Sequence, residues 1–155
     1  MAYMKVALAY GSNLGNRSEN ITLAVDKLKE NGLGNICCSK HVVSKPVDCP
    51  QGSGDFLNGA LTGEWQGSCR ELLDLCQKIE REVGRSKVRE INSPRPIDLD
   101  ILLFGEEMFA EEDLKVPHER MLQRGFVMGP LAEVAADWII PGEDSTVGQY
   151  FKGMK

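Results

Sequence analysis

The chain has 155 residues, 42% of them hydrophobic and 26% charged, with a formal net charge of −5. That length suits one domain, over residues 1–155, able to bury its own core, and the ordinary composition excludes disordered and fibrous classes. The acidic balance, without a dense Lys/Arg cluster, argues against nucleic acid or a membrane surface as partner and points to small molecules.

The N-terminus, MAYMKVALAYGSNLG, has a short apolar run but no signal-peptide organisation, and no stretch reaches membrane-spanning length, so a cytoplasmic protein is expected. Lys5 to Tyr10 reads as a strand ended by the turn formers Gly11-Ser12-Asn13 and Gly15-Asn16. Ser18 can then cap a helix whose apolar stripe is Ile21, Ala24, Val25 and Leu28, stopped by Asn31-Gly32. A second strand is expected from Ile36 to Val43 and a third from Phe56 to Glu64, separated by a Pro/Gly-rich loop of the length often used for function. Ser68 and Glu71 fit a capping box, in which each side chain satisfies a free N–H at a helix start. The helix behind it should bury Leu72, Leu75, Cys76, Ile79 and Val83 and end near Gly84.

Residues 85 to 96 are polar, carry Arg85, Lys87, Arg89 and Arg95, and read as a mobile loop. Ile97 to Phe104 is the fourth strand, with Gly105-Glu106-Glu107 as its turn. The order is therefore β-α-β-β-α-β, the pattern of an α+β, ferredoxin-like core. A C-terminal helix and strand extension follows: a helical pattern over Phe126 to Ala135, and Trp138-Ile139-Ile140 as an edge strand. Five cysteines, none spaced C-x-x-C, read as reduced structural thiols and not as a zinc site. Cys37 and Cys38, being adjacent, should face opposite sides of a strand.

The most informative segment is Pro94 to Phe104. Strand alternation puts Ile97, Leu99, Ile101 and Leu103 on one face and Asp98 with Asp100 on the other, about 6–7 Å apart along the chain. Two like charges on an apolar strand are unfavourable unless cations neutralise them or one takes up a proton. Mg²⁺ suits such a pair, because it binds through one or two carboxylates plus substrate phosphates. The D-x-D pattern alone equally fits an exposed edge strand or a salt bridge to Arg95 or Lys87. The basic segment just before it adds what phosphate chemistry needs, namely cationic donors for the oxygens of a transferring group. No G-x-x-x-x-G-K-[S/T] occurs, so a nucleotide is not held by a P-loop. Gly11 to Gly15 lacks the dinucleotide fingerprint and reads as a tight strand-to-helix turn.

Several separated motifs, in order, resemble the 6-hydroxymethyl-7,8-dihydropterin pyrophosphokinases of folate biosynthesis. They are Ala9-Tyr10-Gly11-Ser12-Asn13-Leu14-Gly15, Asp55-Phe56-Leu57-Asn58, Ile79-Glu80 with Gly84-Arg85, Pro94 to Leu102, Val116-Pro117-His118 and Arg124-Gly125-Phe126. The resemblance spans nearly the whole chain and implies a ferredoxin-like fold. It also implies a Mg²⁺- and ATP-dependent diphosphotransferase in which Asp98 and Asp100 coordinate two Mg²⁺ ions. In that reaction the pterin hydroxymethyl oxygen attacks the β-phosphorus of ATP and AMP leaves.

By the same resemblance Arg85 and Arg95 join the two aspartates as catalytic residues. ATP would be bound by Glu80, Arg85, Lys87, Arg95, Ile101, His118 and Arg124, and the pterin by Pro46, Val47, Phe56, Asn58, Asp98 and Phe126. Phe56 and Phe126 could sandwich a flat heterocycle while the Asn58 amide pairs with its edge. Taken from the residues alone, the two rings also read as core packing, Asn58 as a self-bonded turn residue and His118 as a helix cap. The chain departs from the family at Arg89 to Ser93, at Lys87 and at Glu119, differences that bear on loop closure and rate more than on reaction type. Rival readings are a two-metal ferredoxin-like nucleotidyl transferase or cyclase, which would release pyrophosphate, and a non-enzymatic ligand-binding module of the same fold. A monomer is the expected state.

Overall fold

A computed structural model describes residues 3–45, 55–84, 96–118 and 120–154 of the chain. The sequence-predicted residues Pro46, Val47, Cys49, Arg85, Lys87, Arg95 and Glu119, and the whole of the basic segment 85–95, lie outside the described residues.

The first element is strand β1 (Met4–Ser12), followed by helix α1 (Arg17–Glu30). The strand runs two residues past Tyr10, so Gly11 and Ser12 are paired backbone and not a turn. The turn comes at Leu14 to Asn16, where Gly15 takes a φ of +70°. Asn16, and not Ser18, caps α1: its side chain accepts the Glu19 N–H at 3.1 Å. Both residues are good caps, and the helix begins one turn earlier than the apolar stripe alone indicates. The stripe itself is as expected, with Ile21, Ala24 and Leu28 buried and Val25 packed beside them. Asn31 and Gly32, at a φ of +110°, close the helix.

The expected second strand is two, β2 (Gly34–Cys38) and β3 (Val42–Ser44), which both pair antiparallel with β4 (Phe56–Trp65). The break falls where the buried Ser39 is bonded to the β4 backbone at Ala60. Helix α2 (Cys69–Gly84) starts with the predicted capping box, Ser68 Oγ accepting from Glu71 N at 3.0 Å and Glu71 Oε1 accepting from Ser68 N at 2.8 Å. Strand β5 (Asp98–Phe104) completes a five-stranded sheet with the path β2-β4-β1-β5 and β3 beside β4. Each strand in that path is antiparallel to its neighbours.

Beyond the sheet come the hairpin β6 (Phe109–Glu111) and β7 (Leu114–Val116), a 3-10 turn (Met121–Gln123), helix α3 (Gly125–Ala135), the ribbon β8 (Ile139–Ile140) and β9 (Ser145–Thr146), and helix α4 (Val147–Lys152). Ile139-Ile140 is therefore not an edge strand of the main sheet; among the described residues it pairs with Ser145-Thr146. The architecture is α+β.

Two apolar clusters occupy the two faces of the sheet. Helices α1 and α2 cover Val6, Leu8, Tyr10, Leu61, Leu99 and Ile101 on one face. On the other, α3 and its neighbours cover Ala7, Ala60, Leu102 and Leu103. Leu103 is thus on the opposite face from the one strand alternation assigns. The register between β1 and β5 shifts between Ala7 and Leu8, which pair with Leu103 and Ile101, so Leu102 is bulged and the alternation beyond it is inverted.

Candidate active site

The second cluster covers only part of its sheet face. Further along β1 that face carries Ala9 and Gly11, and the neighbouring strands place larger polar groups against these small residues. Gly11 pairs with Asn58 of β4 on one side and Asp98 of β5 on the other, and Ala9 pairs likewise with Ala60 and Asp100. Asn58 is buried, Asp98 half-buried and Asp100 exposed. Two strand spacings separate Asn58 and Asp98, about 10 Å between backbones, and the intervening floor has no side chain.

Gly11 has a steric reason as well. A Cβ there would stand 2.9 Å from Asn58 Oδ1 and 3.4 Å from the Phe56 ring. Phe56, half-buried, therefore lies over the same floor as Asn58. The Asn58 amide nitrogen donates to Ser44 Oγ at 2.7 Å and to the Val42 carbonyl at 3.3 Å, linking it to β3 across the sheet. Phe126 is half-buried in the first turn of α3, and the Arg124 guanidinium lies over its ring, 5.8 Å from the centroid. The residues read as nucleotide-side and pterin-side thus touch each other.

On the outer side of β5 a cleft of about 230 Å³ opens between that edge strand, α2 and the hairpin β6–β7. Asp100, Ile101, Lys115 and His118 line it, with Leu73 and Val116 as apolar wall. Asp100 therefore belongs both to the sheet floor and to this cleft. His118 is anchored by its own N–H to the Leu102 carbonyl at 3.2 Å, while its Nδ1 accepts the Arg120 N–H at 3.3 Å. That contact fixes Nδ1 as an acceptor, so the neutral ring carries its proton on Nε2. His118 is therefore not a helix cap, since the 3-10 turn Met121–Gln123 is preceded by Arg120 with no side-chain cap hydrogen bond, and the ring lines the cleft.

Glu80 reaches the same strand from α2: its carboxylate accepts the Leu99 N–H at 2.8 Å, between the two aspartates. Burial, followed by the negative fields of Glu80 and Asp100, pushes the Cys76 thiol beneath them well above the ordinary cysteine range. Among the described residues no group of three or more His, Cys, Asp or Glu is placed to hold a metal ion. Two carboxylates on one strand face, beside an open floor and a cleft, do fit Mg²⁺, which leaves most of its coordination to water and phosphate oxygens.

Sequence reasoning missed Ser44, which closes the amide contact from another strand, and Lys115, which lines the cleft. It also missed Arg70, whose guanidinium holds Glu111 and Asp113 of the β6–β7 hairpin, the Asp113 contact at 2.7 Å. Those partners are 41 and 43 residues distant in sequence, and no local pattern signals such a pair.

A family model for 7,8-dihydro-6-hydroxymethylpterin-pyrophosphokinase matches residues 7–136. The chain is 40% identical over 141 residues to the 2-amino-4-hydroxy-6-hydroxymethyldihydropteridine pyrophosphokinase of Pseudomonas aeruginosa, covering 88% of this chain and 84% of that one. It is also 37% identical over 135 residues to a folate synthesis bifunctional protein of Arabidopsis thaliana. The chain spans only 27% of that relative's length, and 20% and 23% of two further folate-synthesis proteins. In three dimensions it is similar to Plasmodium falciparum HPPK-DHPS, with a TM-score of 0.70 at 13% identity over 97% of this chain and 44% of that one, a likeness of fold. No helix among the described residues is long and apolar enough to cross a membrane.

Proposed function

The chain belongs to the 7,8-dihydro-6-hydroxymethylpterin-pyrophosphokinase family, and on that premise we propose that it transfers the pyrophosphoryl group of ATP to 6-hydroxymethyl-7,8-dihydropterin in folate biosynthesis. The hydroxymethyl oxygen bonds to the β-phosphorus, the bridge to the α-phosphate breaks, and AMP leaves. The observation that carries this reading is the row Asn58, Gly11 and Asp98 across three strands, beside a cleft that shares Asp100. One end of the row suits an amide-reading heterocycle pocket and the other a phosphate-bearing partner.

The residues divide accordingly. Phe56, Asn58 and Phe126, with Pro46 and Val47, hold the pterin so that its hydroxymethyl group points along the row to Asp98. Ile101, through the backbone of the edge strand, and His118, through its Nε2 proton, hold ATP in the cleft, and Arg124, which lies over the Phe126 ring and outside the cleft lining, meets it from the pterin side. Glu80 braces β5 from behind through Leu99 and so fixes the spacing of the two aspartates. Arg85, Lys87 and Arg95 supply the cations that meet the transferring phosphates. Asp98 and Asp100 would hold Mg²⁺, two ions in this reading, which would offset the negative charge on the phosphate oxygens.

The sheet path β2-β4-β1-β5, with α1 and α2 on one face, supports a ferredoxin-like core carrying a C-terminal extension. We take residues 1–155 as one catalytic domain that acts as a cytoplasmic monomer on small molecules.

The test is a product assay with purified protein, Mg²⁺, ATP and the pterin alcohol. Equimolar AMP and pterin pyrophosphate, abolished by a chelator, is the expected result. Release of pyrophosphate or ADP in place of AMP would overturn the reaction type.

A further inference from the structure

Helix α2 carries a cation where its own electrostatics disfavour one. Arg70 is the second residue of the helix, in the first turn, where the free N–H groups make the helix end positive. Its guanidinium serves another element: it donates to Asp113 Oδ2 at 2.7 Å and to Glu111 Oε1, both at the tip of the β6–β7 hairpin. That hairpin has little of its own to hold the tip. Its strands have three residues each, and a two-stranded hairpin by itself is marginal at best. Leu114 and Val116 are buried at its base, whereas Glu111, Glu112 and Asp113 are exposed. Glu111 pairs with Leu114, which leaves Glu112 and Asp113 as a two-residue turn. Turns of that length that match strand twist need a positive φ, and among the described non-glycine residues only Asn35 and Asp144 have one. The tip is therefore secured from outside, by one guanidinium that bonds a residue on either side of Glu112.

The same tip is a wall of the cleft beside β5, which Glu112, Asp113, Leu114 and Lys115 all line. Glu111, Glu112 and Asp113 set three consecutive carboxylates at a place where a nucleoside triphosphate, itself multiply anionic, would have to enter. We propose that Arg70 is a positioning residue that pins the β6–β7 turn to α2 and cancels two of its three carboxylates, so that the cleft wall admits an anionic nucleotide. The inference rests on the ATP reading above and deepens it, by assigning part of nucleotide affinity to a residue outside the cleft lining. The side chains of the clamp are 39% exposed for Arg70, 56% for Glu111 and 64% for Asp113, so salt should screen its electrostatic effect.

The experiment is calorimetric titration of the full chain with Mg²⁺ and a non-hydrolysable ATP analogue at low and at high salt, alongside an NMR titration of the Asp113 carboxyl without ligand. Arg70→Ala should weaken binding of the analogue about three- to tenfold at low salt and less at high salt. Affinity for 6-hydroxymethylpterin, measured with the analogue saturating, should not change. Arg70→Lys keeps the charge but lacks the planar fork, and should fall between the two. Arg70→Ala combined with Glu111→Gln and Asp113→Asn should recover most of the loss, because the repulsion goes with the clamp. In turnover assays KM for ATP should rise in Arg70→Ala while kcat stays level. Analogue affinity of Arg70→Ala equal to that of the unsubstituted chain at low salt would overturn the proposal, as would equal loss of both ligands or a triple variant no tighter than the single one. The NMR titration separates the two readings. An Asp113 carboxyl that titrates alike with and without Arg70 defeats the clamp itself, whereas a clamp present in a chain that binds no ATP analogue defeats the nucleotide reading on which its role depends.

Discussion

Asn58 and Asp98 stand in one row of the sheet, each the register partner of Gly11, with no side chain between them. Asn58 comes from a central strand and is buried, while Asp98 comes from an edge strand and is half-buried. A rigid amide at one end and a carboxylate at the other define a slot whose length is set by strand spacing. It does not depend on side-chain flexibility. Placing functional groups on neighbouring strands in this way gives more exact geometry than loops can.

The two aspartates differ in their surroundings, and their variants should differ in consequence. Asp98→Ala should lower kcat/KM by more than the roughly 10- to 100-fold typical of residues that merely support a metal ligand, and should weaken both substrates. Asp100→Ala should be as damaging to turnover but should act mainly on ATP, because Asp100 lines the cleft shared with Lys115 and His118. Each variant should still melt cooperatively, so that the loss of turnover is not a loss of fold. Steady-state kinetics with each substrate varied in turn, together with melting curves, checks this; near-normal turnover in either variant would remove the metal site.

Gly59 pairs with Tyr10 on the face beneath α1 and α2, and the phenol lies flat across it. A Cβ at Gly59 would meet Tyr10 Oη at 2.3 Å and the ring carbon bearing it at 2.5 Å. The ring is 3% exposed and has no space into which to swing. Gly59→Ala should therefore destabilise the fold by about 1–3 kcal/mol. Tyr10→Phe in the same background should not rescue it, because ring carbons as well as the hydroxyl collide. Urea denaturation of the single and double variants decides the point.

How much of this was legible in the sequence depends on how local each determinant is. The Ser68/Glu71 capping box and the buried stripe of α2 need only a few consecutive residues; the box is found as read, and so is the stripe at Leu72, Leu75, Cys76 and Ile79, with Val83 only half-buried at its end. The opposition of Asp98 and Asp100 to Leu99 and Ile101 follows from strand alternation, which applies until the bulge at Leu102 inverts it and sends Leu103 to the other face. Gly11 looks like a turn former because glycine usually is one. Its place within β1 is dictated by β4 and β5, which pair with it from both sides and are remote in sequence. Ser44 and Arg70 act through partners 14 and more than 40 residues away, so composition and periodicity are silent about them.

Helix α2 offers a pH-dependent test. The Ser68 N–H donated to the Glu71 carboxylate, with help from the Ser68 hydroxyl, holds that carboxyl below its ordinary value of 4.5. A carboxylate depressed on folding contributes stability that is present above the unfolded value and lost as pH falls through the lower folded one. Asp113 is depressed in the same direction by its hydrogen bond from Arg70. Urea midpoints measured over about pH 6 to 3 should fall less steeply for Glu71→Gln than for the unsubstituted chain, because the amide keeps an acceptor for Ser68 N but does not titrate. The Asp113 contribution should persist in that variant. Superimposable pH profiles would show that the cap carries no linked stability.

The cysteines should separate by reactivity. Cys37 and Cys38 are exposed on β2, opposite Thr62 and Leu61 respectively, whereas Cys69 and Cys76 lie on the buried side of α2. Burial raises the Cys69 thiol to about 11 and Cys76 further, and Cys38, although its side chain reaches the surface, is raised by desolvation from its surroundings and then by the neighbouring Cys37. At pH 8 a thiol of that Cys69 value is ionised in about one molecule per thousand, and only the thiolate attacks. Timed alkylation followed by peptide mass spectrometry should therefore find Cys37 modified before Cys38. Cys69 and Cys76 should be protected until denaturant is added. Early modification of Cys76 in native protein would mean that α2 opens readily away from β5, and would remove the brace that Glu80 gives to Leu99.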